Sequence, residues 1–493
     1  MRNLIRLALD LGHKLFFRLR AMGRMGRRVT PRAPVWGWAL IWLRSSFLPS
    51  QNYLIILAVV VGILTGYGSV GFVMVLHTLA DFARGTISEV LAIFGPAQLV
   101  LLPALGGLMV GPLINRFAKE AKGHGVPEVM TALATRGGLI RLRVVVVKVI
   151  ASSLTIGFGG TAGREGPMVQ IGSALGSAIG KWARLTTKNI RTLVACGAAG
   201  GVAATFNAPI AGAIFAMEVL MGRIQTDFLL VLLTSLSSSI IARHYLGNAP
   251  AVLSPSYYLV SPGELPLYFL MGIIIGVAAV YYVKLLYASE DLFGDWNFPE
   301  YLKPAVGGLL VGLILRFFPE VYGSGFPAIE SALWTRYTWG FLLCLFAAEM
   351  LANCATLGSG GSGGVFAPSL YMGAMLGGAF GAIVHSVFPD WTATSGAYAM
   401  VGMAAFFAAA AKAPTTSILI LFEMTGDYHI MLPLMAATVG SVYLSHRLMP
   451  HSIYILKLNR GGIAYPYSEE DTDSAGPPTM SVRPPVRKPA VGD

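Results

Sequence analysis

The stretches TIGFGGTAGREGP, residues 155–167, and TLGSGGSGGVFAP, residues 356–368, are two copies of one pattern about 201 positions apart. Four glycine positions, the leading threonine and the closing proline coincide. The agreement runs on downstream, where Gly172, Leu175, Gly176, Ala178 and Gly180 stand opposite Gly373, Leu376, Gly377, Ala379 and Gly381. Upstream, Gly123-His-Gly-Val-Pro127 answers Gly323-Ser-Gly-Phe-Pro327, and further on Ala208-Pro209 with Glu218 answers Ala413-Pro414 with Glu423. Landmarks in one order, at offsets of 200 to 205, establish an internal duplication. Two halves of this kind imply a two-fold-related bundle with its ligand between the repeats. Similarity alone does not say whether the repeats are inverted.

The setting is a lipid bilayer. The 493 residues are 55% hydrophobic and 12% charged, with 58 glycines, against about a quarter charged in a soluble domain. Apolar runs recur at 54–64, 70–79, 99–114, 228–241, 267–283, 309–318, 341–351 and 430–444. Several need tilt or flanking residues to cross a core of about 30 Å. An all-α polytopic bundle follows, because a transmembrane barrel shows weak alternating segments instead. The order read from the chain is a basic segment at 1–48, one membrane repeat at 49–250, a second at 251–458, and a tail at 459–493. The net charge of +12 gathers near the start, where Asp10 is the lone acid among Arg2, Arg6, Lys14, Arg18, Arg20, Arg24, Arg27, Arg28 and Arg32. Without a soluble domain that charge argues for a cytoplasmic, lipid-facing segment rather than nucleic-acid binding. Leu4, Leu7, Leu11, Leu15 and Leu19 give it the spacing of an interfacial amphipathic helix. The tail, with Pro477-Pro478 and Pro484-Pro485, is too polar to build a core and is expected to be disordered. Cys196, Cys344 and Cys354 have no metal-ligand spacing and read as small packing residues. No metal or cofactor is expected.

Three motifs place glycines and then a proline at a predicted helix start: Gly123, Gly125 and Pro127; Gly163 and Pro167; Gly364 and Pro368. Proline suits the first helical turn, where an N–H is spare, and glycine lets backbone approach a ligand closely. Helix N-termini carry free N–H donors and a positive partial charge. Several of them meeting inside the bilayer would hold a dehydrated anion without a full positive charge and still let it leave. Taken singly, each motif reads equally well as a glycine hinge between packed helices.

Glu165, between Arg164 and Gly166 at one of these helix starts, is the sharpest residue. A carboxylate at bilayer depth costs several kcal/mol unless partnered. It can mimic the anion, block the site, and leave on protonation, which makes a pH-dependent gate. The plain alternative is an ion pair with Arg164. Glu218 and Glu423 read as structural polar groups. His124 is either an anion contact or a solvated loop residue, and Tyr454 either lines the pathway or anchors at the interface.

Together these motifs resemble the CLC family of chloride channels and proton/chloride antiporters, over about residues 49–457. Gly163 to Pro167 is similar to the family's gating-glutamate motif, Gly123 to Pro127 to its first selectivity motif, Gly364 to Pro368 to its second, and Tyr454 to the tyrosine of its central anion site. The resemblance implies two inverted repeats of tilted and discontinuous helices, a homodimer with one pore per subunit, and a bacterial inner-membrane location with cytoplasmic termini. It implies Glu165 as gate, and chloride contacts from the amides around Gly166, Val365 and Phe366, with His124 and Tyr454 lining the central site. His124 stands where the family usually has serine, which puts the anion preference in question. Pro167 sets the motif apart from the fluoride-exporting branch. Val219 stands where proton-coupled members carry an inner proton-transfer glutamate, so uncoupled or weakly coupled conduction is expected, with proton/chloride antiport as the alternative. A reading from another class is an intramembrane serine protease, from Gly360-Gly-Ser362-Gly363 with His385 downstream.

Overall fold

The structure, a computed structural model, describes residues 50–222, 227–248 and 252–463. The expected basic amphipathic helix and all of the expected tail beyond residue 463 lie outside these. Residues 54–181 and 185–463 belong to one body. A second unit, 1–53 with 182–184, is described only at the first turn of one helix and the end of another.

Seventeen principal helices carry the described fold. In the first half they are α1 Ser50–Phe82, α2 Gln98–Phe117, α3 Val126–Thr135, α4 Arg143–Gly157, α5 Glu165–Trp182, α6 Thr187–Phe206, α7 Pro209–Phe215 and α8 Phe228–Leu246. In the second half they are α9 Leu265–Asp295, α10 Lys303–Phe317, α11 Phe326–Leu333, α12 Trp339–Gly358, α13 Phe366–Val387, α14 Ser395–Ala411, α15 Pro414–Thr425 and α16 Met431–Leu448. A last helix, α17 Ile453–Arg460, follows and runs two residues past the expected repeat boundary at 458. Among the described residues five segments are long and apolar enough to cross a bilayer: Asn52–Phe117, Phe228–Leu246, Pro262–Asp295, Trp339–Gly358 and Phe366–Val387. Others, such as α7 and α11, are too short to span and begin with proline in the first turn.

Backbone geometry repeats with the sequence. Gly123 and Gly125 have φ of 72° and 81°, and their counterparts Gly323 and Gly325 have 70° and 69°. Even two non-glycine residues in the left-handed region correspond, Asn207 at φ 59° and Lys412 at 57°. Each terminates the long helix before α7 or α15.

The relation between halves is read from α2 and α10. A Cβ on Gly107 would stand 2.1 Å from the Pro304 carbonyl oxygen, and one on Gly308 would stand 2.2 Å from that of Pro103. One turn along, Gly111 meets Tyr301 and Gly312 meets Val100 in the same way. As numbers rise on α2 the partners on α10 fall, so these equivalent helices run antiparallel. The repeats are therefore inverted, about an axis across the helix pair. Bilayer helices gain no hydrophobic drive from meeting each other, so backbone-close contact through small residues supplies the attraction. The same device joins α5 to α6 at Gly172 and Gly197, and α13 to α14 at Gly373 and Gly402.

Two of the three cysteines, Cys196 and Cys354, are buried as expected of packing residues; Cys344 is exposed on α12.

Candidate anion site

The three glycine-to-proline turns meet. Gly163 and Gly364 exchange backbone hydrogen bonds of 2.8 and 2.6 Å, an antiparallel bridge between equivalent residues. Gly123 N–H donates to the Gly361 carbonyl at 3.0 Å, and Gly363 N–H to that of Gly123 at 3.4 Å. The second of these has its repeat image in Ala162 N–H to Gly323 O, 3.2 Å. Side chains follow the same rule. Ser362 N–H donates to Thr155 Oγ1 and Thr161 N–H to Thr356 Oγ1, both at 3.2 Å. The glycines are required by proximity: a Cβ on Gly166 would lie 2.2 Å from the His124 carbonyl oxygen, and one on Gly125 would lie 2.6 Å from that of Gly166. The starts of α3, α5 and α13 are thus brought together, with Pro127, Pro167 and Pro368 in their first turns.

Glu165 is 2% exposed, in the first turn of α5. Both its carboxylate oxygens lack a hydrogen-bond partner. A Cβ on Gly163 would fall 2.1 Å from Glu165 Oε2 and 3.1 Å from the Ala367 amide nitrogen. The carboxylate therefore lies along the bridge, facing the first turn of α13. Arg164 turns elsewhere: Nη2 donates to the Thr205 carbonyl at 3.4 Å and the guanidinium stands 5.5 Å from the Phe326 ring. No hydrogen bond joins Arg164 and Glu165.

Val365 and Phe366 are buried at the start of α13, and the Phe366 ring packs 4.6 Å from Phe206 and 3.9 Å from Phe407. Tyr454, in the first turn of α17, is 1% exposed and close enough to Glu165 to interact electrostatically. Burial excludes an anchoring role at the membrane surface for Tyr454. Ser452 caps α17, accepting from the Ile455 amide at 3.1 Å.

His124 is no solvated loop residue. It is 3% exposed, with Nε2 3.5 Å from Glu290 Oε1 on α9. Glu290 also pairs with Lys457 of α17. These three line a cavity of about 210 Å³ together with Lys119, Lys122 and Glu128. A second cavity, about 260 Å³, shares no lining residue with the first and takes Arg164, His77, Thr205 and Arg243.

A basic side chain braces the first turn: fully buried Lys148 donates to the carbonyls of Ala121 at 3.0 Å and Gly123 at 2.8 Å. The signal was present as a single lysine in the apolar run RVVVVKVI, residues 143–150. Its repeat counterpart is an acid, Glu349, which is 1% exposed with Oε2 unpartnered. Sequence reasoning also passed over Glu290, whose partners are far from it in the chain.

Glu218 and Glu423 are reciprocal helix caps. Glu423 accepts from the amides of Ile210 and Ala211, at 3.1 and 2.7 Å, at the start of α7. Glu218 accepts from those of Thr415 and Thr416, at 3.2 and 2.7 Å, at the start of α15. Each half closes the other's orphan donors. Val219, beside Glu218, is buried and apolar.

The protease arrangement fails. Ser362 Oγ is buried against Ser152 Oγ at 2.9 Å and the Ala121 carbonyl at 2.8 Å, whereas His385 Nδ1 lies 3.1 Å from the Thr392 carbonyl. No group of acidic, His and Cys side chains among the described residues is arranged to hold a metal.

An inverted-repeat helical protein of the membrane, with helix ends gathered at a buried carboxylate, belongs to the class of integral membrane transport proteins built around interrupted helices. Residues 106–446 match the family described as voltage gated chloride channel. The chain belongs to that family, the CLC transporters, and is not an enzyme. It is 35% identical to a candidate chloride channel protein, ClcB-like, of Ralstonia nicotianae, over 78% of this chain and 90% of that one. It is 33% identical to the H(+)/Cl(-) exchange transporter ClcA of Vibrio cholerae, over 82% and 88%. The crystal structure of a slow cyanobacterial Cl-/H+ antiporter superposes with a TM-score of 0.75 at 29% identity, covering 84% of this chain and 99% of that one.

Proposed function

We infer that this protein carries chloride across a bacterial plasma membrane, through a pathway contained in each subunit of a homodimer whose termini face the cytoplasm. Glu165 is its gate. The observation that carries the reading is the Glu165 carboxylate, buried without hydrogen-bond partners beside the Ala367 amide. It occupies the kind of place an anion would take at a helix N-terminus. The amides of Gly166, Val365 and Phe366 and the side chains of His124 and Tyr454 form the rest of the anion path. Protonation removes the charge that holds Glu165 there, so acid opens the pathway.

Conduction is uncoupled or only weakly coupled to protons. Val219 supports this, since an alkyl side chain cannot relay a proton, and so does the likeness to the ClcB-like protein. The second reading, proton/chloride antiport, is favoured by the names of the Vibrio and cyanobacterial relatives. Chloride and proton flux measured together from purified protein in liposomes separates the two. Chloride movement without uphill proton movement is expected; proton uptake driven by a chloride gradient establishes antiport instead. In the same assay Glu165→Gln blunts the rise of chloride flux with acid. An unchanged pH response removes Glu165 from the gate.

A further inference from the structure

We propose that Glu290 is a second tethered carboxylate gate, closing the mouth of the pathway that α17 borders by occupying a chloride-attracting basic pair, His124 and Lys457. This rests on the anion-transport reading and adds a residue to it. His124 belongs to the first glycine-to-proline turn, and its backbone carbonyl abuts Gly166. Its imidazole Nε2 instead points at Glu290, 3.5 Å away, with no hydrogen-bond partner of its own. Lys457 pairs with the same carboxylate from the opposite wall. All three line one cavity of about 210 Å³, large enough for several waters or a hydrated anion. A small monovalent anion entering there meets basic side chains already occupied by a carboxylate, and must displace it.

The charges facing Glu290 come from each surrounding element. The turn before α3 supplies His124, and the same cavity wall supplies Lys119, Lys122 and Glu128. From α17 come Lys457 and Arg460, the latter held by Asp291. From α9 itself come Asp291 and Tyr287, whose hydroxyl donates to the Ile453 carbonyl. Lys122 is engaged by Glu300 at 3.6 Å. Chloride opens this mouth by displacing the Glu290 carboxylate from His124 and Lys457. Glu165 makes no contact in this cluster, so the two carboxylates act separately.

The test is chloride efflux from proteoliposomes at matched pH on both faces, in a Glu165→Gln background that removes the first gate. Adding Glu290→Gln raises flux severalfold at neutral pH and lowers the half-saturating chloride concentration, because His124 and Lys457 are freed. A double variant with the flux and the half-saturating chloride concentration of its parent overturns the proposal. If the double variant does not fold, Lys457→Met in the same background must raise neutral-pH flux by loosening Glu290; no change overturns the gate. Absence of chloride flux in the unsubstituted protein overturns the transport reading itself, whereas normal flux with inert Glu290 substitutions overturns this inference alone.

Discussion

Lys148 shows how one side chain sets the geometry of a turn it does not belong to. Its Nζ donates to two carbonyls, of Ala121 and Gly123, in the segment leading into α3. Both carbonyls face protein interior and each keeps a second donor, Ser362 Oγ and the Gly363 amide, so each lysine bond lost costs about 0.5–1.5 kcal/mol. Lys148→Met keeps the volume and removes the donor. It is expected to lower the melting temperature of the detergent-solubilised protein and to weaken chloride flux as the Gly123 turn loosens. Unaltered melting and flux would mean the segment is held without the lysine, by Gln170 and Ser362 on Glu120 and Ala121 and by the backbone of Gly361 and Gly363 on Gly123. Glu165 was legible at this scale, since a lone acid among glycines in an apolar chain demands a partner. Glu290 was not, since its neighbours arrive from the turn before α3 and from α17.

Helices in this protein are placed by what their glycines omit. The α2–α10 crossing brings Gly107 and Gly308 against the carbonyls of Pro304 and Pro103 at distances no Cβ tolerates. Gly107→Ala and Gly308→Ala should therefore destabilise to a similar degree, by about 1–3 kcal/mol of overpacking. Thermal unfolding in detergent checks this. Strongly unequal losses would contradict the two-fold character of the contact. The reciprocal caps of Glu218 and Glu423 belong to the same level. Each acid closes a helix start in the other repeat, which explains why the chain keeps an acid at both positions without either lying in the anion site.

For the molecule as a whole, every residue of the proposed path comes from a single chain: the starts of α3, α5 and α13, with α17 closing behind them. The proposed homodimer carries two complete and separate pathways. In a linked dimer of one unsubstituted and one Glu165→Gln subunit, the part of the acid response that Glu165 carries should fall to about half that of the unsubstituted dimer, the arithmetic of independent pores. Loss of the whole acid response would indicate that the two gates act together.

Composition, apolar run length and the duplication determined by themselves that this is a two-repeat membrane bundle. The glycine-to-proline turns and Glu165 marked where its chemistry lies. These are properties of local chain chemistry: hydropathy, helix-start preference and the cost of a buried charge. Only the tertiary structure decided that α2 and α10 run antiparallel, that His124 turns toward Glu290, and that buried Lys148 braces the first motif. Those depend on residues up to about two hundred positions apart meeting across an inverted packing, and local sequence carries no record of which distant partner closes a contact.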